Sequence, residues 1–222
     1  IPAGATAPLG LDRGTTTLES SLSGDDELEV IGSTRLSPEV RYTVESSVER
    51  NWHTGAYDTY TGDGWIRTGE RSALNDSLSG PPGEAETVDV TITAETESTA
   101  LPAPWKAVSA SGGKTVEVDE RGSLRLAEPL AQGETVTVES RVLDADPAAL
   151  RNASTDYPTA IEERYTQLPE STPDRVGDRT EEILAAADAE SPYGQAAAVE
   201  GYLRSEYEYS LTVEQPDGDV AD

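Results

Sequence analysis

The sequence predicts an α+β fold: an antiparallel β-sandwich-like domain followed by a small helical segment. Apolar and polar residues alternate cleanly at residues 87–93, 114–118 and 134–142, the period of half-buried strands. Turn residues, and no helical pattern, separate these stretches, which argues for antiparallel sheets. Beyond about residue 145 the period changes, and Thr172-Pro173 and Ser191-Pro192 give two helix-start signals. The palette agrees. Only 35% of the 222 residues are hydrophobic, with no Phe and no Met, so core duty falls on Val, Leu, Ile, Ala, nine Tyr and three Trp. Val- and Thr-rich stretches of this kind suit strands.

Taken in order, residues 1–24 are rich in Gly, Thr and Ser and read as a linker or extended arm. Residues 28–48 hold two strand candidates. In the second, Val40, Tyr42, Val44, Ser46 and Val48 fall on one face, against Arg41, Thr43 and Glu45 on the other. Tyr60-Thr-Gly-Asp-Gly-Trp65 predicts a tight turn, because Gly62 and Gly64 tolerate positive φ. Residues 75–84 form a Ser/Gly/Pro loop. The strand at 114–118 runs into Asp-Glu-Arg-Gly, a turn, and then Leu124-Arg-Leu126. The β-rich domain is thus expected over residues 25–145 and the helical segment over 146–222. In the latter, Val176, Thr180, Ile183, Leu184 and Ala187 follow helical spacing, as do Val199, Tyr202, Leu203 and Tyr207. Residues 207–213 then turn strand-like.

Charge narrows the function classes. Asp and Glu number 43 against 16 Lys and Arg, a net −27. A field of this sign repels nucleic acid and anionic membrane surfaces. It also destabilises the compact state unless salt screens it, and the acids are spread along the chain rather than blocked. That distribution reads as adaptation to high salt. No apolar run approaches the roughly 20 residues of a membrane span. The chain starts at Ile1 without a signal-peptide pattern, so a processed or excised segment is expected.

The chemistry-bearing candidates each have a simpler reading. With no Cys in the chain, thiol catalysis, disulfides and thiolate metal sites are excluded. His53 is the one histidine, in Asn51-Trp-His-Thr-Gly55, and reads as a loop or strand-edge residue. Asp58 and Asp63 could bind a cation and their neighbouring aromatics could stack on a sugar, but an architectural role is preferred. Asp25-Asp26-Glu27, Asp144 with Asp146, and Asp217 with Asp219 and Asp222 are possible calcium clusters. None reproduces an EF-hand loop, and solvated surface acid is the simpler account. Pairing among 43 carboxylates is uninformative about glycoside hydrolysis. Asn75 and Asn152 stand in N-x-Ser sequons, a weak pointer to an extracytoplasmic setting. No nucleotide-binding glycine motif occurs. No catalytic, cofactor-binding or metal-ligating residue is assigned, and no cofactor is expected.

Two stretches together resemble one family. Residues 42–65, ending in Tyr57-Asp-Thr-Tyr-Thr-Gly-Asp-Gly-Trp65, resemble the β-rich region of prokaryotic membrane-anchored transglutaminase-like proteins, which are also described as cysteine protease-like; the acidic balance suggests a halophilic archaeal type. Residues 157–211 resemble the segment joining that region to the catalytic core, through Tyr165-Thr-Gln-Leu-Pro169, Arg175-Val176, Ser191-Pro192-Tyr193, Tyr202-Leu-Arg204, Tyr207 and Tyr209. Residues 217–222 are similar to the linker before the family's Gly-Tyr-Cys motif. The resemblance implies a parent with transmembrane helices on either side and this portion facing outward, and a papain-like core with a Cys-His-Asp triad elsewhere. None of those three positions is matched here, and His53 is not the family histidine. The chain is therefore expected to be a non-catalytic lead-in whose partners are the missing core, the membrane helices and a protein substrate. The rival expectation is an adhesion or carbohydrate-binding sandwich. It requires Trp52, Trp65 or Trp105 exposed in a groove, whereas a scaffold should bury them. The apolar stripe at 191–213 should lack its normal cover.

Overall fold

A computed structural model of the chain describes residues 27–29, 32–33, 38–62, 64–210 and 212–213. Two four-stranded antiparallel sheets enclose one core. The first has the order β3 (Tyr42–Ser46), β7 (Ala85–Ala94), β12 (Thr135–Leu143), β9 (Ala107–Ser111). The second has the order β6 (Arg71–Ala73), β10 (Val116–Asp119), β11 (Leu124–Leu130), β8 (Ser98–Ala100). A small third sheet joins β1 (Glu27–Glu29), β5 (Gly64–Ile66) and β4 (Thr59–Tyr60), and β2 (Gly32–Ser33) pairs with β13 (Thr212–Val213). Four helices follow the sandwich: α1 (Pro147–Arg151), α2 (Thr159–Tyr165), α3 (Asp174–Ala186) and α4 (Pro192–Glu206). The α+β class expected from the sequence is what the chain adopts.

Period-two alternation builds the core directly. β7 and β12 pair over nine positions, with Val90 opposite Val138 and Ile92 opposite Val136. These four side chains are at most 1% exposed. Val116, Val118, Leu124 and Leu126 meet them from β10 and β11. Each such side chain contributes roughly 1.5–3 kcal/mol of burial. Tyr42 ties the sheets together at one edge. Its hydroxyl donates to the Ala100 carbonyl at 2.9 Å and shares a hydrogen bond with the Ser98 hydroxyl. One core position breaks the pattern: Ser140, opposite Val88, is 0% exposed and its hydroxyl has no hydrogen-bond partner. Ser140→Ala is therefore expected to stabilise the fold by about 1 kcal/mol, since it removes an unsatisfied buried polar group. Urea unfolding with an unchanged slope is the measurement.

Several local expectations need correction. β3 begins at Tyr42, and Val40 and Ser46 are exposed, so the buried face is shorter than the alternation implied. Of the two turn glycines, Gly62 takes positive φ, at 97°, and Gly64 opens β5 instead. Pro173 sits at the N-cap of α3 rather than inside it, and Thr172 supplies no cap, its hydroxyl being buried without a partner. Ser191 caps α4 as expected, its side chain accepting from Gly194 N at 3.1 Å. After α4, among the described residues, 212–213 are strand. β6, β8, β9 and α1 were not anticipated. Asp25, Asp26, Asp63, Asp217, Asp219, Asp222 and residues 1–24 lie outside the described residues, as does the Glu27 side chain.

Candidate functional site

The strongest polar arrangement lies where three segments meet: the loop leading into β4, the β10–β11 turn, and the stretch after α2. Asp58 is 1% exposed. Its backbone N–H donates to Ile66 O at 3.1 Å, a contact that fixes the loop beside the β4–β5 hairpin. Thr68 donates to Asp58 twice, from its N–H to Oδ1 and from its hydroxyl to Oδ2, both at 3.0 Å. Arg121 Nη1 donates to Asp58 Oδ2 at 2.5 Å and to the Thr68 carbonyl.

Arg121 reaches this point because Asp119-Glu-Arg-Gly122 is a tight turn with Gly122 at φ 83°. Asp119 holds the turn from inside. Its Oδ1 accepts from the N–H groups of Arg121 and Ser123, both at 2.9 Å. Its Oδ2 accepts from Arg121 Nε at 3.2 Å and Nη2 at 3.0 Å. One guanidinium thus neutralises two buried carboxylates 61 positions apart in sequence (119 − 58). Arg164 on α2 ion-pairs with Glu120 of the same turn and lies 4.0 Å from Asp58 Oδ2. Gln167 Nε2 then donates to the Asp58 carbonyl at 2.7 Å and to the Arg164 carbonyl at 3.1 Å.

Chemically this is a brace. Burial pushes the Asp58 carboxyl up, but the Thr68 and Arg121 hydrogen bonds and the Arg121 charge outweigh it and hold the group below the usual carboxylate range. Its oxygens are committed to those partners, so Asp58 offers neither a proton at neutral pH nor an open ligand position. Among the described residues, no group of three or more His, Asp or Glu side chains is placed to hold a metal ion. Asp146 caps α1 instead, accepting from Ala149 N at 2.7 Å.

His53 sits on a strand-like bridge. Its N–H and carbonyl pair with Ala103, at 2.8 and 3.1 Å. Burial pushes the imidazole below the usual histidine range; Asp119 opposes this and Arg67 adds to it. A depressed folded pKa makes the unfolded chain the better proton acceptor, so His53's contribution is complete above about pH 6.5 and is lost as pH falls below it. His53→Gln should therefore flatten the fall in melting temperature between about pH 7.5 and 5.5.

The tryptophans contradict the expectation of burial. Trp52, Trp65 and Trp105 are 41%, 40% and 48% exposed. The core is filled by small aliphatic side chains from two well-matched sheets, and the indoles are left at its margins. Trp65 packs on Tyr60, with ring centroids 5.3 Å apart. Of the sequons, Asn75 is exposed, while the Asn152 side-chain N–H donates to Ala148 O at 2.9 Å and closes α1. Arg121 escaped sequence reasoning. The only signal for it was an Asp-x-Arg-Gly turn, which reads as a turn and nothing more.

Fold and brace together define a β-sandwich module with a helical extension keyed into it through one buried aspartate. The chain belongs to the TgpA N-terminal domain family, whose model matches residues 1–147. It is 30% identical over 192 residues to the uncharacterized protein YebA of Bacillus subtilis (strain 168), a match that takes in 74% of this chain and 25% of that protein. Among solved structures it resembles the periplasmic domain of TgpA from Pseudomonas aeruginosa, with a TM-score of 0.53 and 19% identity over 84% of this chain and 62% of that one. The same domain bound to ethylmercury gives a TM-score of 0.52 at 18% identity. At these identities the structural likeness speaks for the fold. The chain spans about a quarter of its curated relative's length.

Proposed function

We propose that this chain is the non-catalytic, outward-facing N-terminal portion of a membrane-anchored transglutaminase-like protein of the halophilic archaeal type. The family match over residues 1–147 carries the reading. Two features support it. The chain holds no Cys, the nucleophile that thiol acyl transfer or peptidase chemistry needs. And α4, which packs on α3 and α1, leaves Leu203 and the following Tyr207 at 50% and 63% exposure. An apolar face of this kind is what the first helices of a larger, papain-like core would present. In this division residues 25–145 are the sandwich domain and 146–222 the start of the core. The parent's thiolate would attack an amide to form an acyl-enzyme, and the sandwich would position that core or help present a protein substrate. The extracytoplasmic side of a membrane is the corresponding location.

Two measurements test this. The purified chain should be inert toward glutamine donors and peptide substrates, and turnover of either defeats the reading. The gene beyond the Asp222 codon should encode a cysteine-bearing module, and a stop codon there overturns it. Exposure of the three tryptophans favours the adhesion or carbohydrate-binding reading as a second possibility. Indole fluorescence that stays unchanged across a panel of oligosaccharides removes it.

A further inference from the structure

Asn75-Asp-Ser77 and Asn152-Ala-Ser154 are the two Asn-x-Ser sequons of the sequence, and the fold presents them differently. The first stands in the connection between β6 and β7, in neither helix nor strand. Asn75, Asp76 and Ser77 are all exposed. The residues on either side pin this stretch to the sandwich. Leu74 N donates to Val116 O on β10 at 2.8 Å, and Leu78 N donates to Val108 O on β9 at 2.7 Å. Both leucine side chains pack against the core. β6 and β9 are the end strands of their sheets, so residues 74–78 cross the margin of the sandwich from one sheet to the other. The sequon is therefore the exposed crest of a loop whose two ends are fixed by backbone hydrogen bonds and apolar contacts.

Asn152 and Ser154 are exposed as well, but their polar atoms are in use. Asn152 is the C-cap of α1, and its Nδ2 donates to Ala148 O at 2.9 Å. Its backbone N–H donates to the carbonyls of Ala148 and Ala149, both at 3.2 Å. Ser154 Oγ accepts from Asp156 N at 3.0 Å. N-linked glycosylation takes the Asn amide nitrogen as its nucleophile, within an Asn-x-Ser segment on a surface loop. Freeing the Asn152 amide means undoing the end of α1, whose last carbonyls it satisfies. Asn75 already stands clear of the fold.

We propose that Asn75 is an N-glycosylation site and that Asn152 is left unmodified. The proposal rests on the reading that the chain faces outward, the side on which such transfer occurs. The donor is a polyprenyl-phosphate-linked oligosaccharide, and a membrane transferase catalyses the step. Asn75 Nδ2 forms a bond to the anomeric carbon of the first sugar. The bond from that carbon to the phosphate oxygen breaks, the lipid phosphate leaves with the electron pair, and one Nδ2 proton passes to a base.

The test uses the protein purified from the cells that make it, as the parent and as Asn75→Gln, Ser77→Ala, Ser77→Thr and Asn152→Gln. Trypsin cuts after Arg71, Lys106, Arg151 and Arg164, so the two sequons fall on separate peptides, 72–106 and 152–164. Mass spectrometry should find a glycan on the first peptide and none on the second. The glycan should be lost entirely in Asn75→Gln and Ser77→Ala and kept in Ser77→Thr and Asn152→Gln. The two Asn75 and Ser77→Ala variants should melt within a few degrees of the parent, because the altered side chains are exposed. Protease added to intact cells reports separately whether the chain faces outward. An unmodified 72–106 peptide on a chain that the protease reaches overturns the proposal and leaves the outward-facing reading standing. The same result on a chain that it does not reach overturns both. A glycan on 152–164, or one that survives Ser77→Ala, overturns the proposal as well.

Discussion

Arg121→Leu is expected to cost about 3–5 kcal/mol, the usual penalty for removing one partner from a buried ion pair. Asp58 and Asp119, 1% and 5% exposed, would both remain buried with their countercharge gone. Marginal stability of about 5–15 kcal/mol means that such a loss removes a large share of the total. The sign of its pH dependence is distinctive. In the parent, Asp58 is held below the usual carboxylate range, so its contribution is present at neutral pH and is lost only as acid reaches that lowered pKa. Without Arg121, one of the influences that lower the Asp58 carboxyl is gone and its pKa rises, so the deficit should shrink as pH falls and Asp58 is neutralised. Urea unfolding of parent and variant at about pH 7 and pH 5 checks this. A variant as stable as the parent at neutral pH would remove the brace from the account of the fold.

The second large effect is salt. A net charge of −27 on 222 residues repels itself, and dilution lengthens the range of that repulsion from about 3 Å at 1 M salt to about 30 Å at 0.01 M. The melting temperature should fall steeply between those limits, by about 2–4 °C for every kcal/mol of repulsion unmasked. Sodium sulfate and potassium chloride at equal ionic strength should both protect, with sulfate acting further through exclusion from the protein surface. A melting temperature that hardly moves between about 2 M and 0.05 M sodium chloride would refute the high-salt reading. The two effects are separable. Salt screens the surface acids, but it barely reaches the Arg121 pairs, whose side chains are at most 2% exposed. The Arg121→Leu deficit should therefore persist at high salt.

What the sequence disclosed follows from side-chain size and spacing. β7 and β12 were legible because Val88, Val90 and Ile92, and Val136 and Val138, alternate with Thr, Asp and Glu over long runs. β6, β8 and β9 read Arg-Ser-Ala, Ser-Thr-Ala and Ala-Val-Ser-Ala-Ser. These are too short or too small-chained to show a period, and their neighbours in the sheet hold them in place. The helix starts were legible where Ser191 caps and misplaced where Pro173 does, because proline can stand at either position with the same φ. The tryptophans misled for a physical reason. Size argues for burial, but a core already filled by aliphatic residues leaves no room for an indole. The brace was hidden by abundance: Asp58 is one acid among 43, and only folding brings it to Arg121.

One atom pair bears on mechanics. Asp58 offers its carboxylate to the sandwich through Arg121 and its carbonyl to Gln167 beyond α2. Tension applied along the trailing helices would thus load the same residue that anchors the sheet turn, with the Arg164–Glu120 pair as a second strut. Whatever tugs on α2 is thus felt at the β10–β11 corner.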